Sequence, residues 1–222
     1  MDRILIPRIG PGHDSSEDSC YMSASAIRSK IWAGEDYSYS VPKSAFAAYR
    51  EETMSGRLIS NQKELDSAIL SRLQMLNQDD FRRIPDASEN LCNQFAKALR
   101  TCTTYDELWH TVSSKRYPAS RIRRISLNAS LGFFDYGEET EIPFARVLAF
   151  NEKGRSLLGQ IKKYAAVPLL VRPGAVRDCS AFIQNCFHEN SKAHDFLAFG
   201  FTADARPRPG EDWRKTAQFV KQ

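Results

Sequence analysis

Several signals that would narrow the function of this 222-residue chain quickly are missing from it. No stretch approaches roughly eighteen consecutive apolar residues, so no transmembrane helix is expected. The N-terminal segment, Met1 to Asp14, has only a short apolar patch broken by Pro7 and Arg8, which is not the pattern of a signal peptide. The five cysteines (Cys20, Cys92, Cys102, Cys179 and Cys186) form no C-x-x-C pair, and an odd number leaves one over under any disulfide scheme. They read as reduced thiols of a cytoplasmic protein and supply no zinc framework. G-x-S-x-G, a Walker loop, a complete Rossmann fingerprint and H-E-x-x-H are all absent. Of the four histidines, His188 and His194 stand six apart beside Glu189 and Asp195 without a third well-spaced ligand, so no metal site is expected. No internal repeat or low-complexity tract occurs.

What is present suits a folded protein. A hydrophobic fraction of 42% with 13 phenylalanines can fill a sizeable core and excludes a disordered tail. The net charge of +4 permits a polyanionic partner without demanding one. The periodicity predicts a mixed α/β chain that is mainly helical. Residues 3–6 read as a short buried strand, followed by a Gly/Ser/acidic loop from Gly10 to Ser19. A helix starts at Ser23 or Ser25, carries Ile27, Ile31 and Trp32, and stops at Gly34. Residues 35–57 are expected to be an irregular crossover. Asn61 with Glu64 forms a capping-box pattern ahead of Leu65, Ile69, Leu73 and Leu76. Ser88 precedes Leu91, Phe95, Ala98 and Leu99, and Thr104 with Glu107 precedes Leu108 and Val112. His110, next to Trp109, is expected to pack. A fourth helix spans about Pro118 to Leu131, with Pro118 in its first turn and Ile122, Ile125 and Ala129 inward. Ala145–Phe150, an amphipathic stretch 152–164 and Val167–Val171 then read as one βαβ unit. A last helix is expected from Asp178 to His188, with Cys179 and Cys186 as buried thiols on one face.

Three segments could carry chemistry. Ser23-Ala24-Ser25-Ala26-Ile27-Arg28 places small hydroxyl residues at a helix start with a fixed charge one turn in, which suits a phosphate. The same residues also make an ordinary N-cap followed by a surface arginine. Pro7-Arg8-Ile9-Gly10-Pro11-Gly12-His13-Asp14 puts an arginine after a buried strand, beside backbone that a ligand can approach, where open α/β sheets bind ligands. As a bare Gly/Pro turn it would merely connect two elements. Lys115-Arg116-Tyr117-Pro118-Ala119-Ser120-Arg121-Ile122-Arg123-Arg124 holds five basic residues in ten positions and no acid. Such a stripe can meet phosphates, with Tyr117 offering an aromatic face to a base; it can also be a solvated helix face.

Together these segments resemble, in order, the bacterial tRNA(Met) cytidine acetate ligases of the nucleotidyltransferase superfamily. Arg8-Ile9-Gly10-Pro11-Gly12 and Ser23-Ala24-Ser25-Ala26-Ile27-Arg28 look like that family's R-I-G-x-G … S-A-T-A-I-R. Ser114 to Arg124 is similar to T-K-R-Y-T-x-x-R-I-x-R, and Arg146-Val147-Leu148-Ala149-Phe150-Asn151-Glu152-Lys153-Gly154 to R-V-L-G-F-N-E-K-G. The resemblance runs along nearly the whole chain.

It implies an enzyme that activates acetate with ATP and transfers the acetyl group to N4 of the wobble cytidine. ATP enters as a substrate, accompanied by magnesium, and no tightly bound cofactor is implied. Arg8, Ile9, Ser23, Ser25 and Arg28 would contact ATP; Lys115, Arg116, Arg121, Arg123 and Arg124 would contact tRNA(Met). No catalytic residue is assigned. The implied fold is a remnant of a Rossmann-like nucleotidyltransferase domain at 1–57, a helical tRNA-facing module at 58–132 and a small α/β region at 133–222 that carries the βαβ unit. The family's H-x-G-H signature occurs nowhere in the 222 residues, and Gly12-His13-Asp14 stands where Gly-Tyr-His-Asp is usual. The abrupt start at Met1-Asp2-Arg3-Ile4 therefore reads as a C-terminal portion, inactive alone unless a separate chain supplies the other half. Two alternatives are a non-catalytic RNA-binding protein and a nucleotidyltransferase for another small acceptor.

Overall fold

The computed structural model describes Pro7 and residues 21–58, 62–133 and 142–221. Its contacts divide the chain into two compact units, Met1–Ser60 and Asn61–Gln222. The expected strand at 3–6, the loop from Gly10 to Ser19 and the Asn61 cap lie outside the described residues.

In the first unit, α1 (Ala24–Ala33) begins and ends where its local chemistry dictates. The Ser23 side chain accepts a hydrogen bond from the Ala26 N–H at 3.1 Å, satisfying a donor that the first helical turn leaves without an intrahelical acceptor. At the other end Gly34 adopts φ +70°, a left-handed conformation that closes the helix and that glycine reaches without strain. Neither Ile27 nor Ile31 is fully buried, and Trp32 is 54% exposed. The expected irregular crossover at 35–57 is instead largely a second helix, α2 (Lys43–Met54). Its alanines favour a helix and Pro42 stands just ahead of the first turn, but no side chain caps its start to announce it. Tyr37, buried ahead of α2, meets Phe46 edge-on at 5.1 Å between ring centres.

The second unit has a helical centre. It comprises α3 (Gln62–Gln74), the short α4 (Gln78–Arg82), α5 (Glu89–Ala98), α6 (Tyr105–Val112) and α7 (Ala119–Leu131). Each longer helix turns its periodic apolar face inward, so Leu73, Leu91, Phe95, Leu108, Ile122 and Ile125 have no exposed surface. Phe81 of α4 stacks on Phe95 at 5.4 Å. The Asn77–Asp80 capping box that starts α4 is reciprocal, with both side chain-to-backbone bonds formed. In α6 the Thr104 hydroxyl accepts from Glu107 N–H, whereas the Glu107 carboxylate reaches one residue further back, to Thr103 N–H. Pro118 is the N-cap of α7 and not a first-turn residue, and Gly132 ends the helix at φ +78°.

Beyond the helical centre, the expected single strand at 145–150 is split. β1 (Ala145–Arg146) pairs in parallel with β3 (Leu169–Leu170), while β2 (Ala149–Phe150) pairs in parallel with β4 (Gln218–Phe219). The β1 and β3 pair flanks α8 (Glu152–Tyr164), which agrees with the predicted strand–helix–strand order. Pro173, which lacks an N–H, follows closely after β3; the C-terminal segment takes over the partnership, with Ala217 N–H bonded to Val171 O and Gln218 N–H to Leu148 O. The last helix, α9 (Ala181–Leu197), starts later and runs further than expected, and Cys179 lies before it and not on its face. Phe187 of α9, with Leu170 and Val176, forms a second small core that meets Trp213 edge-on at 4.6 Å. Among the described residues no helix is long and apolar enough to cross a membrane.

Two substitutions test this account by chemical denaturation. Ile122→Ala should cost about 2–5 kcal/mol, because a completely enclosed side chain leaves a cavity. Ser23→Ala should cost about 1 kcal/mol through loss of the N-cap; equal, small effects from both would contradict the burial of Ile122.

Candidate functional site

The start of α1 is built from two serines and an arginine. Ser23 is 4% exposed, and its hydroxyl lies 3.0 Å from that of Ser25. Because the Ser23 oxygen caps Ala26 N–H, the pair is fixed against the backbone at the positive end of the helix dipole. Arg28 is exposed one turn further on and forms no ion pair among the described residues. An anion approaching this helix start would meet oriented hydroxyls, first-turn N–H groups and one guanidinium. On the flank of α1, Ile27, Arg28, Ile31, Trp32, Tyr49 and Leu58 line an open groove of about 320 Å³. Arg8, Ile9 and His13 lie outside the described residues.

The basic stripe is arranged differently from its appearance in the sequence. Because Ile122 and Ile125 must point into the core, Arg121, Arg123 and Arg124 are turned outward on α7. The stripe is acid-free along the chain, but the fold brings Asp86 to it. One oxygen of the Asp86 carboxylate lies 3.0 Å from Arg121 and the other is paired with Arg124. Arg121 also donates to the Asp86 carbonyl at 2.6 Å, while its Nε is buried with no hydrogen-bond partner. Asp86 sits at φ 70°, the single non-glycine residue with positive φ among those described. An aspartate tolerates this conformation better than most residues.

Two of the remaining cations meet aromatic rings. The Arg123 guanidinium lies 4.1 Å from the centre of the Trp109 ring, and Arg116 lies 5.4 Å from that of Tyr117. Lys115 and Arg116 form no ion pair among the described residues and stand exposed at the turn before α7. Tyr117 does not offer a face to a base. It is 2% exposed, and its hydroxyl lies 3.2 Å from that of Ser88, so the ring belongs to the core. That hydrogen bond is the main reason its phenol is held below the ordinary tyrosine value, with Asn90, Arg116 and Arg121 adding to the effect.

Other groups of interest fall elsewhere. His110 is exposed and not packed in the core: it stacks on Trp109 at 3.6 Å and lies 3.7 Å from Asp106. His194 bonds Glu211 at 3.1 Å, a contact that joins α9 to the turn at 211–213. Burial pushes the Cys92 thiol up, away from reactive thiolate. Among the described residues no group of histidines, cysteines and carboxylates could hold a metal ion. Asp86 is the participant that sequence reasoning missed. Pro85-Asp86 reads only as a turn, and no local pattern links it to arginines 35 and 38 residues away.

Comparison with known proteins places this geometry in context. A family model described as HIGH Nucleotidyl Transferase matches residues 1–208. The tRNA(Met) cytidine acetate ligase of Thermosipho melanesiensis is 31% identical over 174 residues, covering 76% of this chain and 41% of that protein. The protein of the same name from Syntrophomonas wolfei is 26% identical over 222 residues, covering 95% of this chain and 53% of its own length. The apo crystal structure of Thermotoga maritima TmcAL superposes with a TM-score of 0.87 at 21% identity, over 98% of this chain and 55% of that one. A second form, bound with alpha-thio ATP, gives 0.81 at 24% identity, over 92% and 53%. The chain thus spans about half the length of the curated relatives it matches, and it shares the fold of the Thermotoga maritima structures. On the match at residues 1–208, the chain belongs to the HIGH Nucleotidyl Transferase family.

Proposed function

We propose that this chain forms part of a tRNA(Met) cytidine acetate ligase: residues 1–57 serve ATP, 58–132 face the tRNA, and 133–222 form a small α/β region beyond them. The observation that supports this reading is the start of α1, where the Ser23 hydroxyl caps the helix beside Ser25 and Arg28 is exposed one turn on, in a chain 31% identical over 174 residues to a ligase of that name. Arg8 and Ile9 complete the ATP contacts. The relative bound with alpha-thio ATP supports a nucleotide at this fold. In the proposed reaction an acetate oxygen attacks the α-phosphorus of ATP and pyrophosphate leaves. N4 of the wobble cytidine then attacks the acetyl carbonyl, AMP departs, and the amine loses a proton. Magnesium would accompany the triphosphate.

The reading includes a deficit. No H-x-G-H segment occurs in these 222 residues, and in the proposed reaction that segment would supply the donors that meet charge developing at the α-phosphate. Each such donor is typically worth about 2.7–4 kcal/mol of barrier. Acetate-dependent exchange of pyrophosphate into ATP should therefore be undetectable with this chain alone and should appear when a polypeptide carrying the H-x-G-H half is added. Robust exchange by the chain alone would overturn this part of the reading.

For the RNA, Lys115, Arg116 and Arg123 are the cations that Asp86 does not engage, while Arg121 and Arg124 are shared with it. Asp86→Asn keeps a residue that tolerates positive φ and removes the counter-charge. Stability should fall by less than about 1 kcal/mol, since the ion pairs are partly exposed. Affinity for tRNA in a fluorescence titration should rise; a fall would mean that Asp86 orients the two arginines productively.

A further inference from the structure

The basic surface least neutralised by the fold is not the stripe that stands out in the sequence. Helix α8 carries Lys153, Arg155, Lys162 and Lys163 against a single acid, Glu152. All four basic residues are exposed, and none forms an ion pair among the described residues. Asp86, in contrast, engages two of the five cations at 115–124.

The other face of α8 is apolar and only partly covered. Leu157 is 54% exposed, Ile161 38% and Tyr164 87%. With Val147, Phe150, Leu158 and Val220, Leu157 and Ile161 line an open groove of about 470 Å³. At 3.6 residues per turn, Arg155 and Lys162 fall within about 20° of each other on one edge of this apolar strip. Lys153 falls near Tyr164 on the opposite edge. From Lys153 to Lys163 the cations extend about 15 Å along the axis. An apolar groove bordered on both sides by cations, with an aromatic ring standing at one end, matches a polymer that has phosphates outside and flat apolar rings inside. That is the chemistry of an unpaired nucleic-acid strand.

We propose that α8 is a second RNA-binding surface, taking an unstacked loop segment of the RNA with its phosphates on Lys153, Arg155 and Lys162, which border the apolar strip, and a base on Tyr164, while Lys163 on the far side adds only to the general positive field. This rests on the tRNA reading above and extends it to a helix that carries none of the assigned tRNA contacts.

The test uses the full chain and an in vitro transcript of tRNA(Met), titrated over a range of salt concentrations. Replacing the four α8 cations by Gln, which has similar helix propensity, should leave helicity and Tm unchanged and reduce the slope of log K against log salt by about 2–3 in magnitude. The milder pair Arg155→Gln with Lys162→Gln should give about half that change, which guards against misfolding of the quadruple variant. Tyr164→Ala should weaken binding about tenfold without altering the slope. An unaltered slope in the quadruple variant, while Lys115→Gln, Arg116→Gln and Arg123→Gln together still lower it, would overturn the α8 proposal alone. Failure of the unmodified chain to bind the transcript would overturn the tRNA reading itself. If the quadruple variant instead lost binding to anionic phospholipid vesicles and kept its RNA slope, α8 would be a lipid-facing helix and the proposal would fall.

Discussion

Helix α7 must satisfy the core and the solvent simultaneously, and the arrangement of the basic stripe depends on how it does so. Ile122, Ile125 and Ala129 are completely enclosed by the helical centre, which fixes the rotation of the helix about its axis. Once that rotation is set, Arg121, Arg123 and Arg124 have nowhere to go but outward. Burial of each large apolar side chain contributes on the order of 1.5–3 kcal/mol. Surface charge repulsion among the arginines is far weaker, so the core decides the geometry and the charges follow. The cationic surface is thus a consequence of apolar packing.

That surface is then edited from elsewhere in the chain. Asp86 reaches Arg121 and Arg124 from a turn whose backbone is held at positive φ, and Trp109 receives Arg123 across its ring. The editing separates five similar-looking cations into two that are shared with a carboxylate, one on an indole, and two at the exposed turn before the helix. Tyr117 illustrates the same principle in reverse. In the sequence it stands among basic residues as an apparent stacking platform, but its ring fills the core and its hydroxyl meets Ser88. Tyr164, which follows Lys162 and Lys163, is a tyrosine that the fold does leave exposed beside cations.

The start of α1 shows a more local logic. Ser23 caps the helix, holds Ser25 within hydrogen-bond distance and leaves Arg28 outside, all within six residues. The cap and the serine pair both form within a single turn, which is why a short motif can announce them. The same features make it a poor discriminator by itself, since an N-cap serves helix stability whether or not an anion binds. The family match along residues 1–208 identifies the chain as a whole, not this helix start.

Local periodicity and capping make α1, α5, α6 and α7 legible, and periodicity alone the inward face of α3, because caps act within one turn and inward faces recur every three or four positions. The parallel pairing of Ala145–Arg146 with Leu169–Leu170 was legible for a related reason: two apolar runs separated by one amphipathic helix have few ways to pack. Helix α2 is not legible because it starts after Pro42 with no side-chain cap, among scattered tyrosines that read as irregular chain. The exchange of strand partners at 145–150, the counter-charge at Asp86 and the burial of Tyr117 were decided only in three dimensions. Each joins residues tens of positions apart, through contacts whose strength depends on distance and orientation that no local pattern encodes.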